Sequence, residues 1–188
     1  VSTKFEKDSP VRFLLLFLSL FFIFYYFNIF FFGVTSEGNH YNAFLDQHFN
    51  YIRILRHVLL GASAQLLNWM GYTAIISDTE LLVAGRGVIQ LVYSCLGLGI
   101  MSFFAALVIA FPKKLKQKLL FLICGLVVFQ LLNIVRFVLL ALFWKSTKGI
   151  ILDHHTIFNI IIYILIAISL YLWIKHDDQK PVADAKNN

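Results

Sequence analysis

Tyr93-Ser94-Cys95-Leu96-Gly97-Leu98-Gly99 opens a long uncharged run that continues to Phe111. A thiol therefore stands at the mouth of a segment apolar enough for a bilayer, preceded by polar chain and followed by Pro112 and the lysines 113, 114, 116 and 118. Two later residues occupy matching positions. Arg136 is the only charge between Leu119 and Trp144, and His155 immediately precedes the uncharged run from Thr156 to Ile174.

Composition agrees with a membrane reading. Of 188 residues 60% are hydrophobic and only 14% charged, with 20 phenylalanines, which excludes an ordinary soluble domain. The expected fold is an all-α polytopic membrane protein of about 4–5 membrane helices, forming a single integral membrane domain over 1–188. Its parts are a cytoplasmic N-terminal segment 1–12, a membrane core 13–174 and a disordered cytoplasmic tail 175–188. The formal net charge of +6 comes from lysines and arginines flanking apolar runs, where anionic lipid and topology account for it and nucleic acid need not be invoked. The two cysteines, Cys95 and Cys124, form no disulfide framework and no CxxC metal pair.

Phe13 to Phe32 are twenty uncharged residues, enough to cross about 30 Å of hydrocarbon, and the run is too long for a signal-peptide core. Gly33 to Asn50 read as an interfacial loop, because His40, Asp46 and His48 lack the spacing of a helical zinc motif. Tyr51 to Met70 read as an amphipathic helix, spanning or lying on the surface. Between Tyr72 and Tyr93, the runs Leu81–Val83 and Val88–Val92 flank Gly85-Arg86-Gly87 and predict a short β-hairpin, with an interrupted membrane helix as the alternative. The acid-free lysine cluster predicts a cytoplasmic loop. An inward N-terminus and an outward Cys95 then require an odd number of crossings before Cys95. One crossing suffices if Tyr51–Met70 does not span.

Cys95 lies 18 residues before Lys113, Arg136 lies 18 after Lys118, and His155 lies 20 before Lys175. In continuous helices all three stand roughly 27 to 30 Å above the lysine plane, in one layer at the far edge of the bilayer. Taken singly, each has a plain explanation. Cys95 can be a small residue packed beside Gly97 and Gly99, Arg136 can snorkel, and the histidines can cap a helix behind Asp153. Taken together they form a catalytic set: a nucleophilic thiol, a cation that steadies thiolate or oxyanion, and a proton shuttle. Gln130, Asn133 and Arg136 follow at intervals of three and make one polar stripe. A guanidinium in so apolar a helix demands a partner.

These motifs resemble the exosortase/archaeosortase family of membrane cysteine protease/transpeptidase-like sorting enzymes, in a short member. Cys95-Leu96-Gly97-Leu98 is similar to its Cys-Ser-Gly-Leu element, Asn133-Ile134-Val135-Arg136 to its Asn-x-x-Arg, and His155 precedes the last helix. Leu96 stands where the family has serine, and Asn159 where it commonly has glycine. The resemblance implies catalysis by Cys95, Arg136 and His155, with His154, Asn133 and Tyr93 in support, and no metal or organic cofactor. It implies as substrates exported proteins that end in a short motif, a membrane helix and a basic tail. Cleavage would occur through a Cys95 thioester at the extracytoplasmic face of a bacterial or archaeal plasma membrane, with membrane lipids as the other partner. The competing readings are a scaffold or small transporter using the Gln130, Asn133 and Arg136 pathway, and a metalloprotease using Asp153, His154 and His155.

Overall fold

The computed structural model describes residues 10–36, 41–143 and 154–178, with the side chains of the last segment described at 160–175. The chain divides into two compact units, 1–144 and 145–188. The described part is mostly helical, with one small sheet.

In the first unit, helix α1 (Pro10–Thr35) opens on a proline at its first position, where the missing N–H costs nothing. It closes with Thr35 Oγ1 donating to the Phe31 carbonyl at 2.8 Å. The stretch read from sequence as a loop contains a seven-residue helix, α2 (Ala43–Phe49). Asn42 caps it by accepting from the backbone N–H groups of Phe44 and Leu45, and Asn50 in turn caps α3 (Tyr51–Trp69) by accepting from Arg53 N–H. Between them the Asp46 carboxylate takes hydrogen bonds from Asn50 Nδ2 at 2.6 Å and Tyr41 Oη at 2.9 Å, and pairs with Arg53 at 3.6 Å.

The predicted hairpin exists and gains a third strand. Strands β1 (Ala74–Ile76), β2 (Glu80–Val83) and β3 (Gly87–Gln90) form an antiparallel meander in which Ile75 faces Leu82 and Leu82 faces Val88. The interrupted helix is not formed here. Leu81 and Val83 point into the core while Leu82 points out, the alternation expected of a sheet covered on one face. Gly85 supplies the left-handed residue of the β2–β3 turn, with φ +74°.

Cys95 does not begin a continuous helix. It sits in a 3-10 turn, Tyr93–Leu96, separated from α4 (Leu98–Ala110) by Gly97 in the left-handed region at φ +74°. The 13 residues of α4 rise only about 20 Å, and the turn adds about 8 Å, so the two together come close to a bilayer's thickness. Phe111 is extended, as the residue before Pro112 must be, and the helix stops there. Helix α5 (Leu115–Phe143) then runs back, four residues longer at its start than the apolar run from Leu119. By length and composition α1 and α5 are each able to cross a membrane.

Helices α1 and α4 lie antiparallel along an aromatic seam. Phe13 meets Phe111, Phe17 meets Phe103 edge-on at 5.4 Å, Tyr25 packs on Gly99, and Phe32 lies against Tyr93 with tilted rings 4.6 Å apart. The Cys95 end of α4 therefore lies beside the Thr35 end of α1. Helix α3 starts near that end, with the Tyr51 ring 4.6 Å from Phe31, and finishes at the sheet, where Asn68 accepts from the Ala74 N–H. Arg86 in the sheet's turn donates to the carbonyl of Leu142 near the end of α5. Helix α3 thus links the Phe31 region of α1 to the sheet, and Arg86 links the sheet to the end of α5. The core gathers Leu59, Leu60, Leu67, Leu81, Leu91, Leu96 and Phe137 beneath the cysteine turn.

In the second unit, α6 (His154–Asp178) begins two residues earlier than the apolar run from Thr156 and carries Ile162, Ile166 and Leu170 along one stripe. The tail from residue 179 and the linker from Lys145 to Asp153 lie outside the described residues.

Candidate active site

The left-handed Gly97 ends the 3-10 turn and restarts the chain as α4, so Cys95 is presented at the top of a helix instead of along its side. Leu96, fully buried, anchors the turn from below, and Tyr93, its ring packed at a tilt on Phe32, braces it from the side of α1. The turn is closed by Cys95 N–H donating to the Val92 carbonyl at 2.9 Å, and α4 starts with Met101 N–H donating to the Gly97 carbonyl. Cys95 itself is 5% exposed, and its neighbour Ser94 is exposed.

Opposite lies the polar stripe of α5. Arg136 Nη2 donates to Cys95 Sγ at 3.6 Å. One turn earlier, Asn133 Nδ2 donates to the carbonyl oxygen of Cys95 at 2.9 Å. Another turn back, Gln130 Nε2 contacts the Met101 sulfur on α4. The stripe read from the spacing of three therefore faces a single partner strand of chain, from Cys95 to Met101. Asn133 and Arg136 are 3% and 7% exposed, so they sit in low dielectric, where their hydrogen bonds are strong and an unmatched charge is costly. The Arg136 guanidinium also lies 5.6 Å from the Phe137 ring centre. Asn133 Oδ1 is buried with no protein partner among the described residues, which leaves one acceptor beside the cysteine turn.

Chemically, this arrangement holds a sulfur against a fixed cation and orients the sulfur's own backbone through an amide. A guanidinium is a suitable partner both for a thiolate and for the oxyanion that forms when a thiolate adds to a carbonyl. Of the residues named from sequence, Cys95, Arg136 and Asn133 come together, and Tyr93 supports the turn. His154 and His155 open α6, but their side chains, like Asp153, lie outside the described residues. Cys124 is on the exposed face of α5, far from this cluster. Among the described residues no three His, Cys, Asp or Glu side chains gather as a metal site would require.

Sequence reading missed Gly97 as the joint of the site. The Gly97-Leu98-Gly99 spacing carried the signal, since a glycine two residues past the cysteine marks where a backbone can turn left-handed. It also missed the Arg86 tie to Leu142, which depends on a pairing 56 residues apart.

No curated protein and no solved structure matches this chain. Residues 13–172 match the family described as transmembrane exosortase, and that span takes in α1, the sheet, the Cys95 turn, the α5 stripe and most of α6. The chain belongs to the transmembrane exosortase family.

Proposed function

We propose that this protein is a membrane cysteine peptidase or transpeptidase that removes C-terminal sorting signals from exported proteins. The observation that carries the reading is the 3.6 Å approach of Arg136 Nη2 to Cys95 Sγ in an apolar, buried setting. A guanidinium held against a sulfur in this way favours the thiolate and the oxyanion that forms when it adds to a carbonyl.

In the proposed reaction the Cys95 thiol gives its proton to His155, and the sulfur attacks the scissile carbonyl carbon. The tetrahedral oxyanion is held by Arg136, with the Cys95 turn kept in place by Asn133. Collapse breaks the C–N bond, and the departing amine takes the proton from His155. A thioester remains on Cys95, and an amine, another surface acceptor or water then resolves it. His154 and Tyr93 support this machinery. The chain works as one multi-pass membrane domain of a bacterial or archaeal plasma membrane, with its site on the extracytoplasmic side. Its substrates carry a short motif, a membrane helix and a basic tail.

The test is processing of a co-expressed membrane protein with such a terminus, followed by immunoblot. Wild type is compared with Cys95→Ala, Arg136→Ala and His155→Ala at matched membrane levels. Loss of the shortened product in all three is expected. Equal cleavage by Cys95→Ala would refute the thiol mechanism.

A further inference from the structure

The two edges of the sheet are finished differently. On the β1 side, Ala84 N–H donates to the Thr73 carbonyl and Ser77 N–H to the Glu80 carbonyl, so the alternation of an antiparallel ladder turns the N–H and C=O of Ala74 away from β2. Asn68 closes that edge at Ala74. Its Oδ1 accepts from the Ala74 N–H at 2.8 Å and its Nδ2 donates to the Ala74 carbonyl at 3.3 Å, so a side-chain amide stands where a neighbouring strand's peptide group would.

The β3 edge has no such cover. Leu91 N–H donates to the Thr79 carbonyl at 2.7 Å, and with Leu81 paired to Ile89 and Val83 to Gly87, the N–H and C=O of Val88 and Gln90 and the N–H of Val92 point outward. Strand β3 is the last of the sheet, and among the described residues no backbone group pairs with these donors and acceptors. Val88, Gln90 and Val92 are exposed. Gly87 to Val92 also contains no charge and no proline, the devices by which proteins ordinarily keep an open edge from pairing.

This open edge runs directly into the cysteine turn. Val92 is the residue from which the 3-10 turn starts, and its carbonyl accepts from Cys95 N–H at 2.9 Å. An extended chain lying along the edge therefore ends beside the turn that carries the sulfur. Outward donors and acceptors repeating every second residue complement an extended peptide backbone, and neither a lipid nor a helix presents that pattern.

We infer that the outer edge of β3 is the docking site for the peptide segment just upstream of the scissile bond, which adds to the sheet as a fourth strand parallel to β3. The inference rests on the reading of Cys95 as the nucleophile. It adds how the substrate is held: through its backbone, in extended form, over the roughly 13 Å from Val88 to Val92, which seats about four or five residues. The direction follows from what flanks the turn. Strand β3 precedes Cys95 and the apolar α4 follows it, so the residues before the cut lie along β3 and the chain after it turns with α4 toward the bilayer.

The experiment uses the full chain in membranes with the reporter of the processing assay. Proline placed at successive positions upstream of the cut removes one N–H at a time. Only every second residue of a paired strand bonds to its neighbour, so processing is expected to fall in alternation, by about fivefold or more at the sensitive positions. In the enzyme, Gln90→Pro removes an outward N–H and leaves the ladder to β2, and Ile89 before it is already extended, as proline requires. It is expected to raise the reporter concentration for half-maximal processing about fivefold or more, whereas Gln90→Ala, which keeps the N–H, should stay within about twofold of wild type. Maleimide addition to Cys95 should run at the wild-type rate in both. In a Cys95→Ala, Cys124→Ser background, a cysteine at Val88 is expected to crosslink to a reporter cysteine before the cut and not to one equally far after it.

A proline scan without alternation, wild-type processing by Gln90→Pro, or crosslinking only to positions after the cut would each overturn the docking site. Crosslinking of Val88→Cys to a second copy of the chain in preference to the reporter would also overturn it, in favour of a contact between copies. If Gln90→Pro alters the maleimide rate, the reporter scan decides, since it leaves the enzyme untouched. The two readings fail separately. Alternation in the scan with processing that survives Cys95→Ala keeps the edge and removes the nucleophile, whereas loss in Cys95→Ala without alternation removes only the edge.

Discussion

Arg136 Nη2 stands 3.6 Å from Cys95 Sγ, although the two residues are 41 positions apart and belong to opposite arms of a helical hairpin. The contact depends on two devices. The left-handed Gly97 turns the sulfur off the axis of α4, and Asn133, one turn below Arg136, fixes the Cys95 carbonyl. Together these define what each substitution should do.

Arg136→Lys should fold and reach the membrane but lose processing by about 10²-fold or more, the effect of removing one positioned oxyanion donor. An ammonium keeps the charge without the planar fork of donors. Immunoblot of the processed reporter measures this against membrane level, and processing above half of wild type would contradict the role given to the guanidinium.

Asn133→Ala removes the donor to the Cys95 carbonyl in a buried site and should cost about 1–3 kcal/mol. Asn133→Asp, isosteric but without the donor, should fare no better. Thermal unfolding in detergent reads the stability. The maleimide labelling rate of Cys95 reads the turn itself and should change in both variants.

Gly97→Val forces a β-branched residue into φ +74°, where an L-residue pays roughly 1–2 kcal/mol and a branched one more. Gly97→Asn should be the mildest replacement, because Asn adopts this region most readily. An order of stability Gly, Asn, Ala, Val in detergent melts is expected, and a stable Gly97→Val would show that the joint is not needed.

Gly125→Ala places a methyl group 2.4 Å from the Phe104 ring, which is 1% exposed and held between helices. Overpacking of this kind costs about 1–3 kcal/mol. Phe104→Leu made together with Gly125→Ala should recover part of the loss, since the smaller side chain leaves room. Additive losses in the double variant would point to a cause other than this contact.

The Asp46 carboxyl is held below its usual value, first by the hydrogen bond from Asn50, then by that from Tyr41, and also by the nearby Arg53. A depressed folded-state pKa means that the group stabilises the α2–α3 corner above the unfolded value. That contribution fades as pH falls below about 3.9 toward the folded value. The protection factors of the Phe44 to Arg53 amides, intrinsic exchange rates divided by the measured ones at each pH, should therefore fall at acid pH in the wild type. In Asp46→Asn they should be low already at neutral pH and show no further fall with acid.

Much of the site was legible because two independent patterns agreed. Counting from the lysine cluster put Cys95 and Arg136 at one depth, and they touch, because the 3-10 turn adds to α4 about the rise that a continued helix would have given, while α5 runs unbroken past Arg136. The Gln130, Asn133 and Arg136 spacing announced a buried stripe. The 3-10 turn was not legible, since the apolar run from Cys95 to Phe111 has no polar residue to mark where a helix starts. Helix α2 escaped for a different reason: seven residues carry too little periodicity, and it is held by Asn42 and the Asp46 cluster, which act through contacts and not through pattern. Strand β1, three residues long, becomes visible only through its pairing with β2.

The burial of Cys95 also bears on how long the sulfur survives. Thiolates with a cationic neighbour are the ones that oxidants convert to sulfenic and then irreversible acids, and access governs the rate. Here the residue is only 5% exposed. The other cysteine, Cys124, lies 12 positions before Arg136 on α5, about 18 Å along the axis, beyond disulfide reach. The packing that holds the Cys95 sulfur against Arg136 thus also shields it from peroxide and from its sister thiol, so the same few contacts govern both the placement of the sulfur and its chemical ageing.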